Sequence, residues 1–401
     1  MKQKNVIQLN FGTWLCVEFM LAAVIALSTV FRVRSLVSYA FTLSFIVFVP
    51  LTIRYFSERS IPFLLLALAI AAFFNCTINA LISGEAQISF SYFYKLIMFL
   101  CTVVMFYAAV SLRLGETALR LIRLIPILIG VILVSSYYLF GNQTVVAGGI
   151  TLSFINSNFA AMWLTHIVFY LVYDCLYYKK VFVKIALGVL ITLCLILIYK
   201  TYARSSFFAL LVFTVMLLFG PFRKDYRPSR AFCLIAAVFP LVFALVYLLI
   251  VHSDWFNRTF SFIIRTGKKL DARELIWLVA LKNAKTHLLL GDYSGISRGS
   301  GVAQLHNTHI DVLCSYGILP FALFVWFLFD ILKRAGSFLS SYRQYVAFSA
   351  FVAVLGIGGF EAAIVAGSTG LYFLSAGILS LILADRENSD ERASPLAEVR
   401  E

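Results

Sequence analysis

The chain has 401 residues, 62% of them hydrophobic and 13% charged, with a mean hydropathy of +0.93 and a formal net charge of +14. Soluble domains carry roughly 25% charged residues, so this composition excludes a soluble enzyme. In so apolar a chain the basic residues report membrane orientation first, and a nucleic-acid partner is not expected. Apolar runs of about 20 residues recur from end to end, enough to cross a hydrocarbon core of roughly 30 Å. A porin-like barrel, with its short alternating segments, is excluded by the same pattern.

Lys2 and Lys4 precede an apolar run from Trp14 to Val30. That run exceeds the roughly 7–15 residues of a signal-peptide core, so it reads as a retained first span. About twelve spans follow the hydrophobic pattern, near 11–30, 35–53, 61–83, 89–112, 122–141, 157–177, 182–199, 205–221, 231–250, 310–332, 345–366 and 369–384. The expected fold is all-α and integral to the membrane. Residues 1–250 form an N-terminal bundle of about nine helices, and 251–309 a basic outer loop. Residues 310–384 form the C-terminal spans, and 385–401 a charged, disordered tail. With the N-terminus inside, the cytoplasmic connections hold Arg54, Arg59, Arg113, Arg120, Arg123, Lys179, Lys180, Lys184, Arg223, Lys224, Arg227, Arg230, Lys333, Arg334 and Arg343. This bias supports cytoplasmic N- and C-termini. No internal repeat is visible, which argues against an inverted-repeat transporter. Cys16, Cys76, Cys101, Cys175, Cys194, Cys233 and Cys314 all fall in apolar runs and none forms a C-x-x-C pair, so they read as small apolar filler.

The outer stretch 252–308 breaks the charge rule. It holds eight Lys or Arg against four Asp or Glu, on the side where positive charge is normally depleted. An anionic ligand on that face supplies a reason; a solvated loop that ignores the rule is the alternative. Within it, DARELIWLVALKNAKTHLLLG predicts a helix. Asp271 is the N-cap, Glu274 completes a capping box, and Leu275, Leu278, Val279 and Lys282 lie along one side. Trp277 fits an interfacial anchor, and Gly291 is a natural stop. The following GDYSGISRGSG is a lid or a linker; it lacks the strand–glycine–helix context of a phosphate-binding loop.

Few polar residues interrupt the apolar runs. Arg204 stands in TYARSS, a polar island between two apolar helices, and either snorkels at the bilayer edge or faces a cavity where it grips phosphate oxygens. Arg273 lies in the first turn of the loop helix, where a plain surface role is the alternative. Asn156 and Asn158 precede a span, and helix capping accounts for at least one of them. His306 and His309 open the segment HNTHIDVLCSYG. No carboxylate or thiolate cluster joins them, so no metal is expected. A neutral imidazole suits accepting a proton from a hydroxyl. Asn307 orients a substrate or caps the span, and Gly317 permits a close approach. Glu361, among Gly356, Gly358 and Gly359, is a carboxylate in an apolar run; such groups default to function or a specific partner, with Arg204 or a loop arginine as candidates. Lys95 and Glu18 lie close enough to span ends to snorkel or pair.

The order Y-A-R-S-S (Tyr202–Ser206), D-A-R-x-x-x-W (Asp271–Trp277), G-D (Gly291–Asp292), then H-N with a glycine ten residues after Asn307, resembles the O-antigen polymerase and O-antigen ligase superfamily. These are bacterial membrane glycosyltransferases of the GT-C type. The likeness is sharpest over about 202–321. It implies a reaction on the periplasmic face of the inner membrane, in which an acceptor hydroxyl attacks the anomeric carbon of a glycan on undecaprenyl diphosphate. It further implies neither cofactor nor metal. Arg204 and Arg273 match the arginines that hold the diphosphate, and His306 matches the histidine that activates the acceptor hydroxyl. Asn307, Glu361, Asn158 and His309 are left with supporting roles. Pro320, three places after Gly317, and the short segment between Gly291 and His306 favour a polymerase, acting with a chain-length regulator. The alternatives are a ligase that transfers glycan to the lipid A core, and a flippase for the same lipid-linked glycan. Asn75, Asn142 and Asn257 lie in N-x-S/T sequons that such a protein leaves bare.

Overall fold

A computed structural model describes residues 2–31, 62–83, 86–141, 144–146, 149–152, 154, 156–220, 226–250, 271–292, 305–361 and 371–384. Its helices are α1 (Lys2–Phe31), α2 (Phe63–Ser83), α3 (Ala86–Ser111), α4 (Glu116–Tyr138), α5 (Ser157–Tyr177), α6 (Val181–Thr201), α7 (Arg204–Phe219), α8 (Arg230–Ile250), α9 (Asp271–Thr286), α10 (Thr308–Tyr316), α11 (Ile318–Ser337), α12 (Tyr342–Ile357) and α13 (Leu371–Ala384). Between α4 and α5, β1 (Val145–Val146) and β2 (Gly149–Ile150) pair antiparallel, Val145 opposite Ile150.

Six helices, α1, α2, α4, α5, α6 and α8, contain stretches long and apolar enough to cross a membrane; α7, α12, α13 and residues 95–111 of α3 are shorter apolar helices. Helices satisfy their backbone hydrogen bonds internally, which a chain in lipid must do. Among the described residues the protein is therefore a predominantly helical, multi-pass membrane protein. α5 is the most enclosed of the six, with Trp163, Phe169, Tyr170 and Tyr173 in the core, while α6 and α8 expose most of their length. Phe19 of α1 meets Tyr170 and Phe373 edge-on, tying α1 and α13 to this central helix.

Basic residues collect at one end of the bundle. There the Arg123 guanidinium donates to Asp174 at 2.7 Å and lies over the Tyr177 ring, with Arg343 over the same ring. The Tyr342 and Tyr345 hydroxyls donate to the carbonyls of Leu217 and Met216, so the start of α12 and the end of α7 share this end. The opposite end holds the start of α5, the two-residue turn from α6 to α7, the start of α10 and the end of α12. β2 sits there too: a Cβ on Gly149 would overlap the Thr201 carbonyl oxygen and crowd the Ser157 side chain.

Four expectations change. The segment 310–332 is not one continuous span. It breaks at Gly317 (φ +84°) into the nine-residue α10 and the twenty-residue α11. The break is built for close approach: a side chain on Gly317 would overlap the Leu289 carbonyl, and one on Gly291 the backbone of Ser315. Asn75 and Asn79 of α2 fasten this crossing by donating to the Leu289, Tyr316 and Leu290 carbonyls, so the sequon at Asn75 is a packing element. On α9, Leu275 and Leu278 are exposed; the buried side is Ile276, Trp277, Ala280 and Ala284. Small alanines let α9 lie close to α10, which the hydrophobic count missed because it weighted leucine. Trp277 is likewise no interfacial anchor: it is buried, with Nε1 donating to the Leu305 carbonyl at 2.8 Å. Glu18 lies near the middle of the thirty-residue α1, fully buried, too deep to snorkel. The expected span 35–53, most of the basic loop, the glycine-rich segment after Asp292 and the tail lie outside the described residues.

Candidate functional site

The histidine motif starts with a strained residue. His306 has φ +50°, in the left-handed region where few non-glycine residues sit. Such strain persists only where neighbours over-determine it. Here Trp277 holds the Leu305 carbonyl on one side, and Asn307 and Thr308 anchor the other. Asn307 is the N-cap of α10: its Oδ1 accepts from the backbone N–H of His309 and Ile310, both at 2.9 Å. Its Nδ2 donates to the carbonyls of Pro240 (2.8 Å) and Gly359 (3.0 Å). Asn307 is thus fully buried and spent on structure, and the capping alternative holds over substrate orientation.

His309 is also fully buried, its Nε2 donating to the Ala237 carbonyl at 2.7 Å. Both anchors land on α8 around Pro240. Proline removes an N–H from a helix and disturbs the preceding turn, so carbonyls in this region favour outside donors. His309 therefore positions α10 against α8.

His306 differs. Its side chain is 26% exposed, and its Nδ1 lies 2.7 Å from Oε2 of Glu361. The other carboxylate oxygen, Oε1, accepts from Asn158 Nδ2 at 2.8 Å. The Thr308 N–H donates to the Gly358 carbonyl at 2.8 Å, and the Thr308 hydroxyl donates to the Glu361 carbonyl at 3.2 Å. A Cβ on Gly358 would press on the Thr308 hydroxyl, and one on Gly356 or Gly359 would crowd Phe208 or Phe243. The glycines around Glu361 are there for close packing. The carboxylate's partners include a histidine and an asparagine, neither of which the sequence had paired with it; 55 and 203 residues separate them.

Asn156 and Asn158 divide the labour. Asn156 caps α5 by accepting from the Phe159 N–H at 2.8 Å, and Asn158 reaches the carboxylate. Arg204 opens α7 directly after Tyr202, which is left-handed (φ +57°), and Ala203, which is buried. One helical turn later Phe208 packs on Phe360, ring centroids 5.4 Å apart. Arg204, half-buried, therefore stands at the same end of the bundle as Glu361 and His306. Ser205 and Ser206 beside it are buried, their hydroxyls without a hydrogen-bond partner among the described residues. Arg273 lies in the first turn of α9, and its side chain is outside the described residues. Asp311, one turn into α10, is buried.

Three helices, α5, α7 and α10, begin at this end, and helix N-termini carry partial positive charge that favours anions. Among the described residues no three His, Cys, Asp or Glu side chains cluster as a metal site would require. The arrangement offers a partly exposed imidazole backed by a carboxylate, beside an arginine at a helix start. It can take a proton from a hydroxyl and hold a phosphate nearby. No family model matches this sequence, and no curated protein matches it.

Proposed function

We propose that the protein is a GT-C-like membrane glycosyltransferase with about twelve spans, which polymerises glycan repeat units carried on undecaprenyl diphosphate at the periplasmic face of a bacterial inner membrane. One observation carries the reading. The partly exposed histidine of the motif is hydrogen-bonded to a buried carboxylate at the bundle end where α5, α7 and α10 begin and where Arg204 stands. Hydroxyl attack needs such a base, and departure of a lipid diphosphate needs such positive charge.

His306 Nε2 takes the proton of the acceptor sugar hydroxyl as its oxygen bonds to the anomeric carbon of the donor. The bond from that carbon to the diphosphate oxygen breaks, and its electron pair leaves with undecaprenyl diphosphate. Arg204 and Arg273 stabilise the departing charge, and the imidazolium returns its proton to water. Collection of basic residues at the opposite end of the bundle supports cytoplasmic termini and an outward-facing site. The substrate assignment rests on the motif order given above, with Pro320 favouring the polymerase over the ligase.

The test is the surface-glycan ladder of a deletion strain complemented with wild type or His306→Ala, resolved by gel with membrane accumulation checked. A single repeat on the lipid core is expected with the variant. Long glycan left on the carrier lipid above a bare core would make the protein the ligase. An unchanged ladder at normal accumulation would remove His306 from the chemistry.

A further inference from the structure

A histidine acts as a base through one ring nitrogen, and which one depends on what the other does. Two nitrogens of His306 compete for the role. Nδ1 points at Glu361 Oε2 at 2.7 Å, and the ring is only 26% exposed. An ionised carboxylate only accepts, so Nδ1 then carries the proton and Nε2 keeps its lone pair. The state of Glu361 therefore decides whether His306 is poised as a base.

Glu361 is held for this. It is 6% exposed, and each oxygen has its own donor, Asn158 Nδ2 on Oε1 and His306 on Oε2. Asn158 itself is fixed in the first turn of α5, which Asn156 caps. The backbone beside the carboxylate is tied to the histidine strand by Thr308 N–H to the Gly358 carbonyl, Thr308 hydroxyl to the Glu361 carbonyl and Asn307 Nδ2 to the Gly359 carbonyl. With these bonds in place neither partner can swing away without unfastening α10 from α12. A purely structural ion pair at this depth gains nothing from leaving one face of its base open, yet His306 is several times more exposed than Glu361.

We infer that Asn158 and Glu361 are positioning residues: Asn158 occupies Oε1, so that Oε2 accepts the His306 Nδ1 proton and locks the imidazole in the tautomer whose Nε2 takes the acceptor hydroxyl proton. This rests on the glycosyltransferase reading for the identity of the hydroxyl, and on geometry alone for the tautomer.

In Glu361→Gln, where Asn158 keeps Nδ2 on the side-chain oxygen as it does on Oε1, the new amide N–H₂ faces His306 and donates to Nδ1; an Asn158 amide turned over to accept from that N–H₂ would leave Nδ1 protonated, and the ¹⁵N spectrum distinguishes the two. With the N–H₂ on Nδ1 the ring flips to the other tautomer and turnover falls on the order of 10²-fold or more, with KM little changed. Adding Asn158→Asp reverses the logic. The aspartate accepts from the amide, the amide oxygen turns to His306, and Nδ1 regains its proton. Turnover in Asn158→Asp/Glu361→Gln should recover at least tenfold over Glu361→Gln. The tautomer is read independently, by ¹⁵N NMR of histidine-labelled protein with the His306 signals assigned by subtracting a His306→Ala spectrum. Protonated Nδ1 is expected in wild type and the double variant, and protonated Nε2 in Glu361→Gln. Protonated Nε2 in wild type, or no recovery in a folded double variant, would overturn the inference. If the tautomers behave as expected while the deletion strain shows a normal glycan ladder, the positioning stands and the glycosyltransferase reading falls.

Discussion

Two acid–base pairs with the same 2.7 Å hydrogen bond stand at opposite ends of this bundle, and they are built for different ends. Arg123 and Asp174 are both buried, 7% and 0% exposed, with Tyr177 stacked on the guanidinium 3.2 Å from its carbon. Both faces of that pair are closed, and it joins α4 to α5. His306 and Glu361 share a buried carboxylate, but the base keeps an open face and a strained backbone. A pair closed on all sides contributes to assembly of the helices. A pair with one face open leaves a ring within reach of a ligand. The chemistry of the two carboxylates is alike, and their surroundings decide their roles.

The sharpest way to break this comparison is to delete one member of each pair. His306→Ala should lower transfer by about 10²–10⁴-fold while the protein accumulates normally, measured as glycan product per unit of membrane protein. Asp174→Ala should do the reverse. It leaves a buried guanidinium uncompensated, which costs about 3–5 kcal/mol, so folded protein in detergent should drop while transfer per folded molecule holds. Pairing it with Arg123→Met should restore much of the thermal midpoint, because two buried charges leave together. If Asp174→Ala instead silenced folded protein, the closed pair would be part of the reaction after all.

Arg204→Ala and Arg273→Ala should each lower transfer by about 10²–10³-fold, the usual loss for one donor to a developing charge. Wild-type turnover by either would remove that residue from diphosphate binding. Arg273→Lys keeps the charge and loses the planar fork, so it should fall between wild type and Arg273→Ala. The smallest effect should come from Trp277→Phe. It removes one buried hydrogen bond to the Leu305 carbonyl, about 1 kcal/mol, and loosens the strained residue that follows. A modest rise in KM with little loss of folded protein would mark that contact as support for His306.

Much of the site was legible residue by residue and little of it as a constellation. The motif order picked out Arg204, Arg273 and His306, and Asn158 and Glu361 stood out separately because polar groups in an apolar chain are conspicuous. The sequence offered Glu361 an arginine by attraction of opposite charge and did not foresee the histidine and the asparagine. The carboxylate, the histidine and the asparagine stand at the ends of three separate helices, α12, α10 and α5, and nothing local encodes that meeting. Two asparagines in SFINSN read alike, yet one caps α5 and the other grips the carboxylate, because successive positions at a helix start face different neighbours. The loop helix was legible and its buried face was not. Leucines looked like the core side, but close approach of α9 to α10 selects alanines.

The sequence alone determined the all-helical membrane class, because apolar runs of spanning length leave the backbone no other way to satisfy its hydrogen bonds. It also offered Asn156 and Asn307 as caps and Gly317 as a point of close approach, while running one span through that glycine. Only the tertiary structure decided that Gly317 breaks a span to admit the Leu289 carbonyl, and that His309 is anchored while His306 is left reachable. The reason is physical. Class and caps depend on hydrogen bonds within a few residues of chain, whereas burial and partnership depend on which helices pack together, and that is settled by the whole bundle at once.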